Sequence, residues 1–356
     1  MPSSGVSEAG RPWAVGAATG VGSMPGTDLG EAMRIVAGEL DAFPHLVELP
    51  AAGPGAGLIG RAVAHLADLH TEFTVSGWRF AAHAGRDERR ARAGLSRDLD
   101  VLEEHMQGFA GPLKIACAGP WSLAASVELR HGDKALADAG AVRDIAAALA
   151  EGVAAVALDV RRRIPGARLV VQLDEPSLPA ALAGQLRTAS GFGALRAVGL
   201  SDAIEKLRLV TAAIEAAGAT PIGHCCAASV PIGLFADAGL RAISLDATLL
   251  SERDDDAIGQ AVERGVAFFL GLVASSEPAD ETKPPRVQEV AGPARRLWSR
   301  LGFSPETLAR DVVVTPTCGL AGASPAWARH AYRSCVEVAR VLVEEPEDTA
   351  APAGDR

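Results

Sequence analysis

The chain has 356 residues, and its 34 Lys and Arg against 44 Asp and Glu give a formal net charge of −10. With 48% hydrophobic and 22% charged residues it has the makings of an ample core, which excludes a collagen, a coiled coil and wholesale disorder. No basic surplus is left to neutralise phosphates, so no nucleic-acid partner is expected. The longest apolar-looking stretch, 135–160, carries Asp138, Arg143, Asp144, Glu151 and Asp159, so no membrane partner is expected either. Residues 1–11 lack the basic and apolar regions of a secretory signal, and the five cysteines follow no repeated framework. A cytoplasmic protein with reduced thiols is the expectation.

Residues 1–12 read as a disordered N-terminus. Eight short apolar runs with strand character follow, at 14–21, 45–49, 114–118, 169–174, 221–226, 242–246, 267–273 and 312–317. Most are continuously apolar, which suits parallel strands buried on both faces. Helical patterns fill the spaces between them. Asp28 and Glu31 read as a capping box that opens a helix through Leu40, and further helices fit 135–162, 201–217, 252–264, 287–301 and 325–343. The region 51–111 is longer than one crossover needs and is expected to hold extra elements, including the run 71–81. Within it Arg86, Arg89, Arg90 and Arg92 are interrupted by Asp87 and Glu88, as on a solvated face. The tail 345–356 reads as disordered. Eightfold strand–helix alternation predicts an α/β chain folded as one (β/α)8 TIM barrel over 13–344, with an elaborated region after strand 2.

In such a barrel, chemistry sits where strands end. The fifth run ends in Gly223-His224-Cys225-Cys226, the sixth in Leu245-Asp246, and the eighth in Thr317-Cys318-Gly319. Residues two apart on a strand point the same way, so His224 and Cys226 can face one point while Cys225 faces away. Two thiolates, one imidazole and one carboxylate make a sensible tetrahedral zinc set, from His224, Cys226, Asp246 and Cys318. Cys117, Cys225 and Cys335 read as packing residues. The fourth run ends in Gln172-Leu173-Asp174-Glu175-Pro176, and two carboxylates at a strand end read as functional in Asp174 or as a helix cap. After the first run, Gly22 and Ser23 precede a helix, where free N–H groups and a hydroxyl make a pocket for a carboxylate or phosphate. Glu48 closes the second run, where a carboxylate can hold a substrate ammonium group.

Together these residues resemble the cobalamin-independent methionine synthase family, in its catalytic C-terminal barrel. Val21-Gly22-Ser23-Met24-Pro25-Gly26-Thr27 resembles the family's opening I-G-S-F-P-x-T motif, and Leu173-Asp174-Glu175-Pro176 its I-D-E-P motif. His224 and Cys226 match the H-x-C zinc pair, and Cys318-Gly319 the D-C-G-L ligand motif, with Thr317 in place of the aspartate. Asp246 stands where the family has a glutamate ligand. The resemblance implies Zn2+ on His224, Cys226, Asp246 and Cys318. It places the homocysteine carboxylate against Gly22 and Ser23, and the ammonium between Glu48 and Asp174. The family's H-S-P loop, whose histidine is assigned to proton delivery, reads Ala274-Ser275-Ser276-Glu277-Pro278 here, which leaves Glu277 as the candidate acid beside Asp174 as the other candidate catalytic group. No segment matches the family's folate-holding arginine and tryptophan; Trp121 is near but offset.

A free thiol with a pKa of about 8.5 is mostly protonated at neutral pH, and a bound zinc ion removes that proton. The expectation is therefore a zinc-dependent methyltransferase that methylates homocysteine from methyltetrahydrofolate or a corrinoid, free or carried on a protein. Methyl transfer to another small thiol, a non-catalytic zinc or thiol binder, and a uroporphyrinogen-decarboxylase-like lyase are the alternatives. The lyase would need basic residues for several carboxylates and no H-x-C…C set.

Overall fold

The computed structural model describes residues 10–278 and 285–347. The expected disordered ends lie largely outside the described residues. The last six apolar runs form one parallel sheet in chain order: β3 (Pro112–Ala118), β4 (Arg168–Asp174), β5 (Thr220–Cys225), β6 (Ala242–Asp246), β7 (Ala267–Val273) and β8 (Val312–Pro316). Helices connect successive strands, the longest being Ala139–Arg163 and Leu200–Ala216, and the helix Pro325–Glu344 follows β8. This is an α/β fold with a six-stranded parallel half-barrel. The 51–111 region holds the expected additions: an antiparallel hairpin of β1 (His70–Thr74) and β2 (Gly77–Ala81), and the helix Arg86–His105. On that helix Arg92 reaches back to the buried Glu88, while Arg90 stays exposed beside Asp87.

The first two runs are corrected from strands to isolated parallel bridges. Ala18 bridges to Val314 on β8, Ser23 to Glu48, and His45 to Lys114 on β3. Thr19 N donates to Val314 O, Glu48 N to Gly22 O, and Lys114 N to Pro44 O, so these segments lie across the gap between the sheet's two edges. These segments also pack closely against one another. At Gly20 a Cβ would be driven into the His45 imidazole and stand 2.8 Å from Tyr332 Cε1. The helix after the first segment begins as expected, with Asp28 accepting from Glu31 N at 3.0 Å. The Glu31 carboxylate turns instead to Arg329 (2.8 Å), so only half of the capping box forms.

Side-chain alternation sorts each strand into two faces. Outward residues such as Leu113, Ile115, Val171, Leu173, Cys225, Ile243, Leu245, Leu270 and Val314 join the main core under the helices. Inward residues form a second apolar cluster of Trp13, Phe43, Val170, Ile222, Ala242, Phe269 and Val313 at the N-terminal end of the sheet. Trp13 and Phe269 meet edge to face there, with ring centroids 4.9 Å apart. Two residues further along the strands, the inward positions turn polar: Gln172, His224, Ser244 and Thr315, all buried. Two further again stand Asp174, Cys226, Asp246 and Thr317. An apolar plug thus supports a polar layer, and the polar layer supports the strand ends.

The crowding at Gly20 sets an expectation. Gly20→Ala should destabilise the fold by about 1–3 kcal/mol through overpacking. Gly38→Ala, in a helix with nothing within 4 Å of the new Cβ, should stabilise by about 0.5–1 kcal/mol. Urea unfolding of the two variants against the parent chain measures both signs.

Candidate metal and substrate site

His224 lies on β5 beside Ser244 of β6, its register partner. Its Nδ1 meets the Ser244 hydroxyl at 2.9 Å, which fixes the ring. Cys226 follows β5, and Cys318 sits in the loop after β8; their Sγ atoms are 2.9 Å apart. Ligand atoms of His224, Cys226 and Cys318 all lie within 4.8 Å of one another, the one such metal-competent group among the described residues. The Cys318 thiol is pushed down to about 4 by the hydrogen bond from the Cys226 thiol and by His224. Cys226 is pushed up, because it keeps the proton that the two sulfurs share. A nitrogen and two soft sulfurs, both of which a bound zinc ion would hold as thiolates, are a donor set that fits zinc.

Asp246 lies outside this group of ligand atoms. Its Oδ1 accepts from Thr248 N (2.9 Å) and Thr248 Oγ1 (2.6 Å), capping the short turn Ala247–Leu249. A short acidic side chain at a strand end satisfies the next backbone N–H before it reaches across the sheet. The structure therefore brings together three of the four expected ligands.

Asp174 ends β4, paired in register with His224, and is only 7% exposed. Gln172 Nε2 donates to its Oδ1 at 2.7 Å. Burial pushes its carboxyl up, opposed by His224, Gln172 and Lys114. Glu175 is a structural cap. It accepts from Trp121 N (2.9 Å), Ser122 N (2.7 Å) and Ser122 Oγ (2.7 Å), closing the first turn of the helix Pro120–Ser126 that follows β3. Trp121 points into the core, with Nε1 on Ala203 O.

Glu48 and Gly22-Ser23 form the other wall. Met24 N donates to Glu48 O at 2.9 Å, while neither the Gly22 nor the Ser23 N–H enters a backbone hydrogen bond among the described residues. Ser23 also lies directly against the Cys318 loop. Leu320 N donates to Ser23 O at 2.8 Å, and a Cβ at Gly319 would collide with the Ser23 hydroxyl. Glu48 is buried next to Arg61 Nε (3.4 Å), and Arg61 Nη1 bonds Asp98. Burial outweighs Arg61 and pushes the Glu48 carboxyl up to about 7. A cavity of about 700 Å³ adjoins this side, lined by Thr27, Leu49, Arg90, Arg97 and Asp98 among others.

Glu277 lies in the loop after β7, outside the group of ligand atoms. It is exposed, and its carboxylate accepts from Ser324 at the N-cap of the helix Pro325–Glu344. Thr317, where the family motif has aspartate, donates to Ser275 Oγ at 3.1 Å and ties together the loops after β7 and β8. Sequence reasoning missed Ser244, Arg61 and Lys114. For Lys114 and Ser244 the signal was a polar residue at an inward position of an otherwise apolar strand.

Residues 113–341 match the family model described as the catalytic domain of cobalamin-independent synthase. The chain belongs to that family. Among solved structures, a B12-independent methionine synthase from Shewanella sp. W3-18-1, in complex with selenomethionine, is 13% identical with a TM-score of 0.59, covering 93% of this chain and 99% of that one. At that identity the likeness shows a shared fold. A methylaspartate ammonia lyase from Clostridium tetanomorphum is 11% identical over 94% of this chain and 58% of that one, with a TM-score of 0.43. No curated protein matches this chain. Among the described residues no helix is long and apolar enough to cross a membrane. For this synthase-family chain the thiol–imidazole group and the two walls beside it make a single candidate centre.

Replacing Cys318 with Ser should remove a soft ligand and abolish stoichiometric zinc binding. Asp246→Asn should leave one zinc per chain. Metal analysis after dialysis against a weak chelator reads both.

Proposed function

We propose that this chain methylates the thiol of homocysteine to give methionine, with zinc held by His224, Cys226 and Cys318. The observation that carries this reading is the convergence of those three ligand atoms beside Asp174, Glu48 and the Gly22-Ser23 turn. When bound, zinc would keep the substrate sulfur deprotonated and nucleophilic at neutral pH. With only three protein ligands, His224, Cys226 and Cys318, a bound zinc would have room to take that sulfur. We read the half-barrel and its bridging segments as a (β/α)8 barrel forming one domain over 13–344.

The chain's own residues then hold the amino-acid end. The Gly22 and Ser23 N–H groups take the carboxylate, and Glu48 and Asp174 take the ammonium. Held at that end, the sulfur meets the donor methyl in line, and much of the entropic barrier is removed beforehand. The sulfur–carbon bond forms as the bond from the methyl to its carrier breaks. A nitrogen carrier such as a folate needs a proton on leaving. Glu277, in the loop after β7, is the acid available to supply it. A corrinoid carrier leaves with the electron pair and needs no proton.

The deciding experiment is methyl transfer to homocysteine by zinc-loaded protein, with methyltetrahydrofolate and methylcobalamin offered separately. Methionine formed from one of them supports the reading and identifies the donor; zinc binding with no methionine from either overturns it. The pH dependence follows from Glu48. Below about 7 it is neutral and lacks the charge that holds the ammonium; above that it is ionised. The KM for homocysteine should therefore fall as pH rises from 6 to 8 more steeply in the parent chain than in Glu48→Gln. Losing one charged hydrogen bond of about 1.5–3 kcal/mol should raise the variant's KM at pH 8 by about 10–100-fold.

A further inference from the structure

Lys114 is a fully buried lysine on the inner face of β3, where its neighbours on the outer face, Leu113 and Ile115, pack into the main core. It has no carboxylate within ion-pair distance among the described residues. Instead Nζ donates to two neutral oxygens, Val21 O and Gln172 Oε1, each at 2.6 Å. Gln172 in turn donates from Nε2 to Val21 O (3.0 Å) and to Asp174 Oδ1 (2.7 Å). An ammonium group can only donate. It therefore forces the Gln172 amide to present its oxygen to Lys114 and its NH2 to Asp174. Val21 O, caught by both donors, is the carbonyl immediately before the Gly22-Ser23 turn.

We propose that Lys114 is a positioning residue for the substrate's amino-acid end. One buried ammonium locks the carboxylate-binding turn at Gly22-Ser23 through Val21 O, and locks the ammonium-binding Asp174 through Gln172. This rests on the homocysteine reading above and deepens it. The charge of Lys114 also faces Glu48 and Asp174 through space, favouring the ionised form of both. With Gln172 filling one lobe of Oδ1, the Asp174 carboxylate keeps a fixed orientation and offers its other oxygen to a ligand. A buried cation without an adjacent carboxylate is costly unless its hydrogen bonds are made well. Here it organises two walls of one site from a strand that contributes no ligand itself.

The test uses the full-length, zinc-loaded chain with Lys114→Met, which keeps the volume and removes the donor. The KM for homocysteine should rise about tenfold or more, with kcat nearly unchanged and one zinc per chain retained, as expected when ground-state and transition-state binding are lost together. An unchanged KM in soluble, zinc-bearing K114M overturns the proposal. So does a fall in kcat and zinc content together at constant KM, because that marks a merely structural role. If K114M does not fold, Gln172→Leu cuts only the link to Asp174; it should raise the KM, and an unchanged KM overturns the proposal. If the parent chain does not methylate homocysteine at all, the functional reading has failed by itself. A crystal structure of K114M then decides the positioning claim separately: the Val21–Ser23 backbone and the Asp174 carboxylate should shift relative to β5, and unmoved positions overturn it.

Discussion

Alternation of side chains along parallel strands is the constraint on which the site depends. On β4 the sequence Val170, Gln172, Asp174 climbs from the apolar plug to the strand end, and on β5 Ile222, His224, Cys226 does the same. The lowest member of each series is held by close packing and the middle one by hydrogen bonds. The upper one therefore has little freedom left when it reaches the site. A shift of one residue in either strand would send the functional side chain into the helix-facing core and an apolar residue into the site.

The polar layer in the middle makes this work electrostatically. In a low-dielectric interior an unpaired polar group is destabilising, so every member of the layer with a role holds a neighbour in place. Ser244 orients the His224 imidazole, and Lys114 orients Gln172. Burial disfavours charge on Glu48 and Asp174 alike, and Lys114 and Arg61 offset part of that penalty. The offset is incomplete: Glu48 Oε1 has no hydrogen-bond partner, and Arg61 faces it at 3.4 Å. A cationic group arriving between the two carboxylates would complete the balance, which is what the proposed ammonium site requires. Such a site trades stability of the free protein for affinity.

The loops show where the chain departs from its family pattern and how it compensates locally. Thr317 joins Ser275, so the loop after β7 stays tied to the Cys318 loop through hydroxyls. Glu277 finds a partner at the N-terminus of the last helix. The aspartate at 246 closes its own turn. Thr317 and Glu277 thus find hydroxyl partners in neighbouring loops, while Asp246 bonds two residues along its own chain, as short acidic side chains at turns do.

The motifs around Ser23, Asp174, His224 and Cys318 were legible because each is a compact local pattern at the end of an apolar run. Six of the eight runs read correctly as parallel strands, because strands covered on both faces are continuously apolar. The parity of His224 and Cys226 followed from strand geometry alone. Tertiary structure decided the rest. Whether Asp246 joins the metal group depends on a competition between Thr248 beside it and sulfur atoms on other strands, and spacing along the chain carries no information about that distance. The roles of Glu175 and Trp121 depend on the helix after β3, more than fifty residues from Glu175 in sequence. That the first two runs pair through isolated bridges was likewise decided by what lies beside them, β8 and β3. Lys114 looked like an ordinary polar residue in an apolar run until the curve of the sheet brought Val21 and Gln172 to its ammonium group. Local pattern sets which face a side chain occupies; only the folded chain sets what stands opposite it.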